Sequence, residues 1–230
     1  MPVVTIGGEK GGTGKSTLAT NLAVEAVNRG AGRYVALINC DPQNTAGKWA
    51  ERRNDEIARR NTEGGKLLYP VYCYTLSGRN IHREIEKMAN DYDLVVVDGA
   101  GRDAPELRTA MLASNLFLTP LRASIADVET METVSWLAEQ AATLNPRLRA
   151  AWVLNHVKTV SRDLRRQQMT DVMSDFPFFS TFRTLVAARE VYAEALALGL
   201  GVSEMVRANP KAATEMAFFY EEVIECLQTP

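Results

Sequence analysis

Short apolar runs alternate with longer stretches of helical spacing along the whole chain. Residues 3–6, 34–38, 71–74, 94–97, 116–118 and 151–154 are rich in β-branched or aromatic side chains and read as strands. They are continuous runs, which suits strands buried on both faces. Between them lie segments of helical periodicity at about 15–29, 44–62, 79–90, 103–113, 126–143 and 161–174, with two more near 187–198 and 211–227. This order predicts an α/β fold, a mostly parallel sheet flanked by helices on both faces. No Pro/Ser-rich linker, low-complexity tract or internal repeat divides residues 1–230, so a single domain is expected.

Composition narrows the class. Of 230 residues, 46% are apolar and 23% charged at a net −2, far from a disordered composition. Cys40, Cys73 and Cys226 contain no CxxC pair, so neither a disulfide framework nor a thiolate metal site is expected, and a reducing cytoplasm fits. No stretch approaches the roughly 20 apolar residues that span a bilayer, and the start lacks the basic-then-apolar order of a secretory leader. His82 and His156 have no partner spacing for a metal. The charge is unevenly placed. Residues 145–190 hold eight cations against four anions, a local +4 that makes this region a candidate polyanion surface.

The first strand runs into Gly7-Gly8-Glu9-Lys10-Gly11-Gly12-Thr13-Gly14-Lys15-Ser16-Thr17, followed at once by a helical segment. Glycines let successive backbone N–H groups curl around phosphate oxygens, and the helix that follows aims its positive end at them. Lys15 supplies a point charge, and the Ser16 hydroxyl can coordinate Mg²⁺. The loop is therefore a P-loop for a nucleoside triphosphate, formed by Lys10, Gly11, Gly12, Thr13, Gly14, Lys15, Ser16 and Thr17. Glu9 stands where the strict motif has its first glycine, leaving Lys10-Gly-Gly-x-Gly-Lys15-Ser-Thr with a second lysine at the loop's start.

That deviant Walker A motif resembles the ParA/MinD group of P-loop ATPases. Other segments resemble its small ParF-type plasmid partition members. Asn39-Cys40-Asp41-Pro42-Gln43 with Trp49 is similar to the family's switch I, Asp91 through Gly101 to its Walker B and switch II, and residues 182–199 to the start of the ParF-type C-terminal part. The resemblance runs from residue 2 to about 205, and because the first strand starts at once, the extra N-terminal DNA-binding region of larger ParA proteins is not expected.

The resemblance implies an ATPase using ATP and Mg²⁺. Asp98 would join Ser16 in holding the metal, and Asp41 would orient or activate the attacking water. Lys10 would reach the nucleotide of a second subunit, coupling ATP to a homodimer that could extend into a polymer. Asn155 would meet the purine ring. Asn39 replaces an aspartate that many relatives carry, which bears on metal affinity or rate. The implied function is DNA segregation: an ATP-bound dimer on nonspecific double-stranded DNA, released when a centromere-binding adaptor of the ParB/ParG type stimulates slow hydrolysis. Lys158, Arg162, Arg165, Arg166 and Arg189 are the candidate DNA contacts, and the setting is cytoplasmic and nucleoid-associated. A related ATPase positioning a protein cargo or conjugation machinery shares the same biochemistry. A MinD-like membrane regulator would end in a cationic amphipathic helix, whereas this chain ends with Glu221, Glu222 and Glu225. A reductase of the nitrogenase iron-protein type would need cluster cysteines after Asp98, and none occurs before Cys226.

Overall fold

The computed structural model describes residues 1–30, 34–101, 104–158, 162–205 and 209–228, with the backbone alone for Arg162. Seven strands, β1 (Val3–Gly8), β2 (Val35–Asn39), β3 (Tyr72–Thr75), β4 (Leu94–Gly101), β5 (Leu116–Leu121), β6 (Arg149–Val157) and β7 (Phe179–Ala187), form one parallel sheet in the order β3-β2-β4-β1-β5-β6-β7. Successive side chains of a strand point to opposite faces, so the continuous apolar runs feed two cores. Val4, Ile6, Leu37, Val96, Leu118 and Val153 pack on the side of α1 (Lys15–Arg29), α2 (Thr45–Glu63), α8 (Glu190–Ala197) and α9 (Pro210–Gln228). Val3, Ile38, Val95, Val97, Phe117 and Trp152 pack on the other, beneath α3 (Ile81–Asp91), α4 (Pro105–Ala113), α6 (Met131–Leu144) and α7 (Arg162–Met173).

Apart from β3, an edge strand whose Tyr72, Tyr74 and Thr75 are exposed where burial on both faces is expected, the structure departs from the sequence pattern in two places. The helix expected over 126–143 is two helices, a short α5 (Ile125–Val128) and α6. Ser124 caps α5 by accepting from Asp127 N at 3.2 Å, and the Thr130 hydroxyl donates to Asp127 O at 2.7 Å where the chain turns into α6. The second departure is β7, which carries Ser180, Thr181, Arg183 and Thr184 and so lacks a continuous apolar run. It lies at a sheet edge, and α9 covers it. Glu222 accepts from the backbone N–H groups of Arg183 and Thr184, and Glu215, about two helical turns earlier, accepts from that of Ala187. Arg183 and Thr184 fall in a register irregularity between the pairs Trp152↔Thr181 and Leu154↔Leu185, so these carboxylates take up donors that the pairing with β6 leaves free. The apolar face of the acidic α9 packs inward, with Met216, Phe219 and Val223 buried in the core.

Trp49 and Arg53 anchor α2. Trp49 is buried and its indole donates to Leu200 O at 3.1 Å. Arg53 is 0% exposed, pairs with Glu204 at 2.8 Å, and donates to the carbonyls of Tyr69 and Gly199. Gly199 has φ +69, and a Cβ there would stand 2.2 Å from Arg53 N, so only glycine fits this turn.

Candidate nucleotide site

The carboxyl ends of β1, β2 and β4 converge, the place where open α/β sheets form ligand crevices. A cleft of about 670 Å³ opens there, and the phosphate loop, Asp41, Asn155, residues 186–190, Tyr192 and Ala193 are among its walls. This volume suits a nucleotide-sized ligand. Gly14 caps α1 in the left-handed region at φ 92 and ψ 22, which turns the loop directly into the helix. The N-terminus of α1 therefore faces the cleft.

Two lysines of the loop are held differently. Lys15, 6% exposed, donates from Nζ to Lys10 O at 2.8 Å. Burial lowers its pKa, while the carboxylates of Asp98 and Asp41 act to raise it. The Lys10 side chain instead lies at the rim, its Nζ 2.5 Å from Oδ1 of Asp127, which is fully buried. Asp127 Oδ2 accepts from the backbone of Arg122 at 2.6 Å, and the Arg122 guanidinium donates to Gly12 O. Asp127 and Arg122 thus brace the loop, and sequence reasoning missed both. Ser124 with Asp127 three residues on is a helix-start pattern, but only the sheet order brings it against Lys10.

Asp98 follows the apolar Leu94–Val97 run within β4 and is completely buried. Burial pushes its carboxyl up to about 7, Asp41 adds to the rise, and the Ser16 hydroxyl and Lys15 oppose it. Neither carboxylate oxygen has a hydrogen-bond partner among the described residues. An orphaned buried carboxylate beside a hydroxyl at the mouth of a phosphate loop fits Mg²⁺ bound through water.

Asp41 lines the cleft, with Oδ1 accepting from Gln43 N at 2.9 Å. Asn39 explains how that loop is held. Its buried amide donates to Asp41 O at 3.2 Å and to Asn44 Oδ1 at 3.0 Å, bonds that an aspartate could not donate. Asn155 also lines the cleft, but its amide is engaged with backbone: Nδ2 donates to Thr13 O at 2.6 Å and Oδ1 accepts from His156 N at 2.8 Å. In this arrangement it clamps the phosphate loop.

The expected cationic surface separates into two groups. Lys158 is exposed, and Arg165 and Arg166 are half-buried on α7 with no ion pair among the described residues. The side chain of Arg162 lies outside the described residues. Arg189 does not join this group. It forms an ion pair with Glu215 at 2.7 Å, and its side chain is only 13% exposed. Arg183 is likewise paired, with Glu222 and Glu225. The +4 of residues 145–190 is therefore partly cancelled in space by acids of α9, which the linear count leaves outside.

The family model described as ATPase MipZ matches residues 2–174. Maintenance of carboxysome distribution protein A of Halothiobacillus neapolitanus is 27% identical over 216 residues, covering 94% of this chain and 93% of the relative. Chromosome-partitioning ATPase Soj of Thermus thermophilus is 27% identical over 228 residues, covering 91% and 90%. Among solved structures, the cell division ATPase MinD of Pyrococcus furiosus superposes with a TM-score of 0.75 at 18% identity, over 97% of this chain and 98% of that one. No described helix is long and apolar enough to cross a membrane. A phosphate loop with a lysine at each end, an orphaned carboxylate in the neighbouring strand β4 and a family match over three quarters of the sequence lead to one assignment: the chain belongs to the MipZ family of ATPases, within the ParA/MinD group.

Proposed function

We propose that this protein is a partition-type ATPase, folded as one domain, whose ATP-bound homodimer binds DNA without sequence preference and is reset by a partner-stimulated hydrolysis that is slow on its own. The observation that carries the reading is the division of labour between the two loop lysines: Lys15 is committed to its own loop, while Lys10 stands at the rim with one ion pair among the described residues to give up. Lys10 is free in reach to serve a second subunit's phosphates, where a cation neutralises charge developing in the transition state. Lys15, the loop N–H groups and the start of α1 bind the phosphates of ATP, and Asp41 orients the attacking water. Magnesium held by Ser16 and Asp98 would neutralise phosphate charge. Asn155 supports the loop from beneath, and purine contact falls to it only if its bond to Thr13 O is exchanged.

Lys158, Arg162, Arg165 and Arg166 form the DNA surface, and dimerisation doubles it. Each phosphate neutralised steepens the log–log salt dependence by about 0.9. The protein is placed in the cytoplasm on the nucleoid, with an adaptor of the centromere-binding kind and the ParF-type proteins as its functional analogues. Positioning of a protein cargo is the second reading, favoured by the full-length similarity to a relative named for carboxysome distribution.

Mobility shifts with ATP at several salt concentrations test the proposal. The Arg162/Arg165/Arg166→Ala triple variant is expected to lose DNA binding while still binding ATP. Wild-type affinity and salt slope in that variant would move the DNA surface elsewhere.

A further inference from the structure

The two edges of the sheet are treated differently. At β7, carboxylates of α9 occupy backbone donors. At the opposite edge, β3 pairs only with β2, in unbroken register from Ala36↔Tyr72 to Asn39↔Thr75. Leu76 N donates inward to Asn39 O at 3.0 Å. Backbone groups alternate sides along a strand, so Tyr72 and Tyr74 also face β2, and the N–H and C=O of Cys73 and Thr75 face outward. Tyr-Cys-Tyr-Thr contains no lysine, proline or bulge, the usual guards of an open edge.

A ladder of tyrosines stands beside these outward groups. Tyr72 stacks on Tyr34 at 6.1 Å between ring centroids and meets Tyr92 at 5.8 Å, while Tyr74 meets Tyr92 at 6.2 Å. Tyr34 is 59% exposed, Tyr72 39% and Tyr74 36%. Two acids flank the rings. Asp93 accepts from Tyr34 N at 3.0 Å, and Asp91, next to Tyr92, is exposed.

We propose that the β3 edge is a docking site for an extended, cation-bearing peptide segment of a partner protein, added to the sheet as an eighth strand. Outward backbone groups of Cys73 and Thr75 would supply the ladder bonds, and alternate side chains of the guest would lie over Tyr72 and Tyr74. Arginine or lysine suits those positions, because aromatic faces and the two aspartates both attract cations. A second copy of this chain is the poorer occupant: it would bring Asp91 and Asp93 against their own counterparts. A four-residue edge also falls well short of the roughly 1,000 Å² of a stable interface between folded chains. The Asn39–Asp41 loop continues from β2, the strand next to the docking edge, so the guest would sit one strand away from the nucleotide site.

The test uses nucleotide-free full-length protein, so its outcome is independent of ATPase function. A fluorescein-labelled heptapeptide alternating valine and arginine is titrated by anisotropy, beside one alternating valine and glutamate, with hydrogen exchange read at Cys73 and Thr75. The arginine peptide is expected to bind and to protect both amides. Thr75→Pro, which removes an outward donor that β2 does not use, is expected to bind about tenfold more weakly. Asp91→Lys, a surface change that leaves the strand intact, is expected to weaken the arginine peptide and improve the glutamate one. No binding of the arginine peptide, equal binding of both peptides, protection confined to another region, or a Thr75→Pro protein that folds and binds as wild type would each overturn the proposal. So would a self-association in sedimentation velocity that Thr75→Pro abolishes, since that would make a second copy the occupant.

Discussion

Asp98 shows how burial prepares a carboxylate for a metal. Its carboxyl is held at about 7 against an ordinary value of 3.8, chiefly by desolvation. Between those two values the folded chain retains a proton that the unfolded chain has released. Raising pH across that window therefore costs stability, and the cost is complete above the folded value. Thermal unfolding of the nucleotide-free protein should show this loss in wild type and a flatter profile in Asp98→Asn. Parallel profiles would assign the pH dependence to other groups. The loop residues around Asp98 were legible in the sequence because their chemistry is local: glycines, lysine and hydroxyl lie within one turn of chain. Asp127, Arg122 and the donor role of Asn39 were not, since each depends on a contact made by the fold. Arg189 failed as a surface cation for the same reason. Its partner Glu215 is 26 residues away in sequence.

Among the elements, α2 is held by a buried ion pair as well as by the apolar contacts of Ala46, Trp49 and Ala50. Arg53 and Glu204 have almost no exposed surface, and their remaining groups are bonded: Glu204 accepts from Gly201 N at 3.0 Å and Asn28 Nδ2 at 3.2 Å. Removing one partner leaves a charge stranded in the core. Glu204→Gln should lower unfolding free energy by about 3 kcal/mol, read from urea denaturation, and the Arg53→Met/Glu204→Leu double variant should cost less than the single change. A loss in Glu204→Gln below about 1 kcal/mol would show that water reaches this pair. The helices and six of the strands follow from periodicity. The break between α5 and α6 and the whole of β7 do not, because side-chain caps and an edge covered by α9 replace the apolar pattern that sequence reading relies on.

For the whole molecule, the consequential prediction is assembly. Lys10 must leave Asp127 to act on another subunit, so ATP must repay that ion pair with contacts made only in the dimer. Light scattering should report a larger species with ATP than with ADP, and Lys10→Ala should reduce that difference. An unchanged monomer in both states, with nucleotide shown to be bound, would remove the second subunit from the catalytic scheme.

The seal on β7 has a consequence for synthesis. A ribosome completes Phe179–Ala187 before Pro210–Gln228, so the nascent protein holds an uncovered strand and an uncovered apolar face around Phe182 and Val186 until that helix emerges. Messages truncated ahead of α9 should therefore yield product in the insoluble fraction, and supplying residues 209–230 as a separate peptide during refolding should recover part of it. Closure of this part of the fold is thereby deferred until α9 has been made, when two glutamates take up the donors of β7.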